Sequence, residues 1–114
     1  MTVQEFYESI GGSYTDMIHR LGNDDRICMY LKRFVAESGF AAMQEAVEHG
    51  TVTEVFHAAH DFKGAVAMFS MDKLSDAVCQ LVEQMRPCTA PVDLKLYEKV
   101  NEEYQKVIEE INKL

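Results

Sequence analysis

Residues 52–69 hold the side chains of this chain best suited to chemistry. On a helical wheel at about 100° per residue, with His60 at the origin, Val55, Phe62, Val66 and Phe69 fall between roughly 180° and 240°. Ala58, Ala59 and Ala65 flank that stripe. His60 then points away from it, in the company of Thr53, Phe56, His57, Lys63, Gly64 and Ala67. A neutral imidazole is a nucleophile, and its ordinary pKa leaves a large neutral fraction near pH 7 without a dedicated base. Lys63, one turn on, brings a cation to the same face. Gly64 costs a helix about 1 kcal/mol relative to alanine, which suggests that something approaches the backbone there. Phe56, about 40° from the histidine, adds an apolar shoulder. Taken singly, the histidine and lysine read as solvated and Phe56 as packing on a neighbouring helix. Together they suit a nucleophilic imidazole reached by another protein.

Those side chains need a helix held on a core by other helices, and the periodicity supplies them almost throughout. Two short helices are expected over about 2–21. The first carries Val3, Phe6, Tyr7 and Ile10 and stops at Gly11-Gly12; the second opens at Ser13, with Asp16 approximating a capping box, and stops at Gly22. A long helix is expected over 24–49, with Gly39 as a point for a kink or break. Thr51 and Glu54 form a capping box for a helix over 51–69. Asp72 caps a helix over 72–86 that Pro87 closes, and Pro91 suits the first turn of a last helix over 91–114. Short connections make neighbours antiparallel. The expected fold is all-α, one domain over 1–114, an up-down-up-down four-helix bundle with the short helices packed over one end.

The chain has 114 residues, with 11 Lys+Arg against 19 Asp+Glu, a formal charge of −8. Such an anion is repelled by phosphate backbones and anionic lipid, so neither nucleic acid nor membrane is an expected partner. No apolar run approaches the roughly 20 residues of a membrane span, and MTVQEFYESIGGSY lacks the plan of a signal peptide. Cys28, Cys79 and Cys88 form no CxxC pair and read as free thiols in a reducing compartment, the cytoplasm.

The run Ala59-His60-Asp61-Phe62-Lys63-Gly64 resembles the A-H-x-L-K-G core of histidine-containing phosphotransfer domains, and the segment from Tyr14 to Phe34 resembles their lead-in. The resemblance covers essentially the whole chain. It implies that His60 accepts a phosphoryl group from an aspartyl phosphate on a response-regulator receiver domain and passes it to another receiver, downstream of a hybrid sensor histidine kinase. Lys63 would offset phosphoryl charge and Gly64 would leave room for the receiver's loops. Phe56 and Ala67 are candidates for an apolar docking surface, and Gln80 for a further phosphoryl contact. The protein would be a monomeric carrier with no cofactor of its own, Mg2+ coming with the receiver. Ser70 stands where a glycine commonly ends the histidine helix, Met68 where a small or polar residue is frequent, and Asp61 places a negative charge beside the histidine.

Two other readings follow from the same residues. His57, His60 and Asp61 at i, i+3 and i+4 have the spacing of a helical metal site, although Lys63 opposes a cation there and His19 and His49 are isolated. A bundle that docks partners but transfers nothing is the second. The chain has no P-loop, no G-x-S-x-G and no ATP-binding glycine pattern, so no kinase activity of its own is expected.

Overall fold

Turn chemistry sets the limits of the helices. In the computed structural model, which describes residues 1–114, the elements are α1 (Val3–Ile10), α2 (Tyr14–Leu21), α3 (Asp24–Glu37), α4 (Phe40–His49), α5 (Val52–Met68), α6 (Asp72–Met85) and α7 (Leu94–Ile111). The protein is all-helical. Thr2 and Glu5 form a capping box at α1, and Thr51 and Glu54 another at α5. At α2 only half of the expected box forms: Ser13 Oγ accepts from the Asp16 N–H at 3.2 Å.

Three helix limits differ from expectation, each for a local reason. The long helix expected over 24–49 is broken at Ser38-Gly39, where Gly39 has φ 86°. A continuous helix would carry the stripe Ile27, Leu31, Phe34 on toward residues 38 and 41, leaving Phe40 off the core. The break rotates α4 so that Phe40, Met43 and Ala46 are buried. The buried Ser38 hydroxyl covers the gap, accepting from the Phe40 N–H at 3.3 Å and sharing a hydrogen bond with the Tyr104 hydroxyl at 3.2 Å. The last helix begins at Leu94 rather than at Pro91. Asp93 wins as the cap, because its carboxylate accepts from the N–H groups of both Lys95 and Leu96. At α6, Asp72 is the first helical residue instead of the cap.

Packing along the chain goes α4 on α5, α5 on α6, α6 on α7, with α7 closing back onto α3 and α1. Residues 69–71 are all that joins α5 to α6, so helices packed side by side along their lengths must run antiparallel. The bundle measures 43 × 20 × 20 Å. At the α3–α4 break its core is aromatic: Phe40 stacks on Tyr104 with centroids 4.0 Å apart, and Phe62 meets both at 5.6 Å. No helix is long and apolar enough to cross a membrane.

On its α7 side, α6 is fastened by charge. The Glu103 carboxylate, 4% exposed, faces the ammonium groups of Lys99 at 3.0 Å, Lys106 at 3.5 Å and Lys73 of α6 at 3.7 Å. Burial pushes the Glu103 carboxyl up, but the Lys99 hydrogen bond and the charges of Lys106 and Lys73 outweigh it and hold it below the usual range.

A histidine face on helix α5

Helix α5 buries Val55, Ala59, Phe62 and Val66 completely or nearly so, the stripe its periodicity predicts. His60 stands on the other side, exposed, with its ring centroid 6.0 Å from that of Phe56. Its imidazole makes no hydrogen bond within the chain. Lys63 is half-buried and forms no ion pair. Gly64 is exposed, and a Cβ there would meet nothing within 4 Å. No packing inside the chain requires a glycine at this position, so its helix cost has no offset within the molecule.

Phe56 is not an outward shoulder. It lies half-buried on the flank facing α6, with the Arg86 guanidinium 5.9 Å from its ring centroid. On antiparallel helices, a contact between positions 56 and 86 sets position 60 level with 82–83 and position 63 level with 79. Glu83 therefore stands at the height of His60. Its carboxylate receives three hydrogen bonds from Arg86, two from Nε at 3.2 Å and one from Nη2 at 2.8 Å. Those bonds, then the charges of Arg86 and Lys63, hold its carboxyl below the ordinary value. Glu83 and Arg86 escaped the sequence reading. Their i, i+3 spacing was visible, but the flank of α6 that meets α5 is decided by tertiary register.

Gln80 is exposed and makes no hydrogen bond to the imidazole. It shares a stripe of α6 with Lys73, which pairs with Glu103 of α7, and with Gln84, which bonds the Pro91 carbonyl and the Asp93 N–H. Ala67 is exposed, two turns beyond His60. The carbonyls of Ala67 and Met68 accept from Arg20 Nη1 at 3.2 and 2.7 Å, so α2 satisfies the open C-terminal end of α5. Beside it runs a groove of about 570 Å³ lined by Met17, Arg20, Leu21, Tyr30, Ala67, Met68 and Phe69. His60 is not part of its wall.

Ser70 takes the left-handed conformation of a helix-ending glycine, with φ 51°, and its N–H donates to the Ala67 carbonyl at 3.1 Å. The chain is tight there: a Cβ on Gly12 would meet the Ser70 carbonyl oxygen at 2.6 Å. His57, His60 and Asp61 do not bring ligand atoms together. The groups that do converge are Glu45, Glu48 and His49, all exposed on α4. The three cysteines are free.

The family model described as Hpt domain matches residues 30–111, well over half of the chain. No curated protein and no solved structure gives a significant match. The match runs from the middle of α3 to the last residue of α7 and takes in all of α5, with its exposed histidine. The chain belongs to the Hpt domain family, the helical phosphocarriers of phosphorelay signalling.

Proposed function

We propose that His60 is the phosphoacceptor of this domain. The neutral imidazole attacks the phosphorus of an aspartyl phosphate on a receiver with the lone pair of its unprotonated nitrogen. The N–P bond forms as the P–O bond breaks, and the carboxylate leaves with the electron pair. The other ring nitrogen keeps its proton, so the phosphorylated ring is cationic and a good leaving group toward a second receiver. Lys63 offsets charge on the phosphoryl oxygens. Gly64 leaves the backbone bare where the receiver's loops close in, and Ala67 with the adjoining groove gives that partner an apolar contact. Mg2+ for the in-line step comes with the receiver.

One observation carries this reading: an exposed histidine beside a lysine without an ion pair and a glycine whose missing side chain no neighbour requires. The reading gives Gln80 no role, since no hydrogen bond joins it to the imidazole. Nor does it favour a metal site, because His57, His60 and Asp61 do not converge. In this reading the chain is a cytoplasmic monomer that uses no ATP, exchanging phosphoryl groups with receiver domains and, through one of them, a hybrid sensor kinase. The test is transfer from receiver domains carrying a labelled aspartyl phosphate. Label should appear on wild type within seconds to minutes with at least one receiver and never on His60→Gln; label on His60→Gln at the wild-type rate would refute the assignment.

A further inference from the structure

The flank of α6 facing α5 carries a solvent-exposed ion pair, Glu83 with Arg86. Such pairs contribute little to stability. Yet the guanidinium donates three hydrogen bonds to one carboxylate and rests beside Phe56, whose ring centroid lies 6.0 Å from that of His60. Glu83 stands level with His60 and has Lys63 as a second nearby cation. A phosphoryl group on His60 would enter between these charges. It carries about −1.5 to −2 near pH 7 and offers three acceptor oxygens, more charge than the single carboxylate that now holds Arg86. A guanidinium fork suits either partner, and Arg86 lies only about one helical turn from the level of the imidazole.

Building on the phosphoacceptor reading of His60, we propose that Arg86 is a second phosphoryl-binding cation, held in reserve by Glu83 and handed to the phosphoryl oxygens when His60 is phosphorylated. The exchange sets the lifetime of the phosphorylated protein. In the loose transition state for loss of the group, negative charge leaves the phosphoryl oxygens. A cation on those oxygens therefore stabilises the phosphorylated ground state more than the transition state, and hydrolysis slows. Glu83 acts in the opposite sense: it competes for Arg86 and places a like charge beside the phosphoryl group.

The experiment loads wild type, Arg86→Gln, Arg86→Lys and Glu83→Gln with phosphoramidate and follows decay of the adduct by intact mass at neutral pH. Arg86→Gln should lose the group roughly 3–10-fold faster than wild type, in keeping with loss of one charge-assisted contact. Arg86→Lys should fall between them, and Glu83→Gln should decay more slowly than wild type. The gap between wild type and Arg86→Gln should narrow in 1 M salt, which a packing defect would not produce. Equal decay of wild type and Arg86→Gln overturns the proposal, as does Arg86→Lys decaying as fast as Arg86→Gln. A wild type that takes up no phosphoryl group overturns the phosphoacceptor reading itself, a distinct result.

Discussion

Helix α6 carries charge on both flanks, and the two flanks use it differently. Toward α7, the Glu103 carboxylate is 4% exposed and has three ammonium groups within 3.7 Å. Toward α5, Glu83 and Arg86 hold each other in the open, and Lys63 beside them has no ion pair. A buried carboxylate left without its cations would be costly, so the first cluster fastens two helices and cannot be rearranged cheaply. Water can replace either partner of the second, so its charges are free to turn to a newcomer. Burial separates charge that holds the fold from charge available for chemistry.

The contrast breaks first at Glu103. Glu103→Ala removes one anion from three cations and should cost about 1–2 kcal/mol once the exposed ammoniums are discounted for solvent screening. Glu83→Gln should lower the urea midpoint far less, because both partners of its ion pair are exposed. Equal losses in the two variants would erase the distinction.

A second test is Gly64→Ala. With nothing within 4 Å of the new methyl, the helix gains and the protein should be more stable by up to about 1 kcal/mol. Phosphoryl exchange with a receiver should slow all the same. A variant both more stable and as fast as wild type would remove the clearance role of this residue.

The acid limb of stability sharpens the comparison further. The Glu103 carboxyl is depressed in the folded protein, so its contribution is present above the ordinary glutamate pKa of about 4.3 and is lost as pH falls through the lower folded value. Replacing it with glutamine should flatten the fall in stability below about pH 4. Some slope persists, because Glu5 and Glu83 are depressed as well. The smallest expected effect belongs to Gln80→Ala, which should change neither stability nor phosphohistidine lifetime. A shortened lifetime would show that Gln80 reaches the site.

How much of this was legible in sequence depends on the range of the interaction. The buried stripe Val55, Ala59, Phe62, Val66 and the exposure of His60 follow from helix periodicity alone, and the Thr51–Glu54 box from a local pattern. The spacing of six from Phe34 to Phe40 also held the break at Gly39, because six residues turn a helix about 240° and cannot keep both rings on one face. Competition was harder to read: Pro91 is a good helix starter, yet Asp93 caps with two hydrogen bonds. The flanks of α6 were not legible at all. Whether residue 80 or residue 83 meets α5 depends on how α6 rotates onto two neighbours, which no local signal fixes. That is why Gln80 was placed at the histidine and the Glu83–Arg86 pair was not.

The central claim is that the open imidazole on α5 is the reactive group. Wild type, His60→Gln and His57→Gln treated with phosphoramidate and weighed intact, without acid, put it to the most direct test. The account requires one acid-labile phosphoryl adduct on wild type and on His57→Gln, and none on His60→Gln. Modification of His60→Gln as readily as wild type would contradict it.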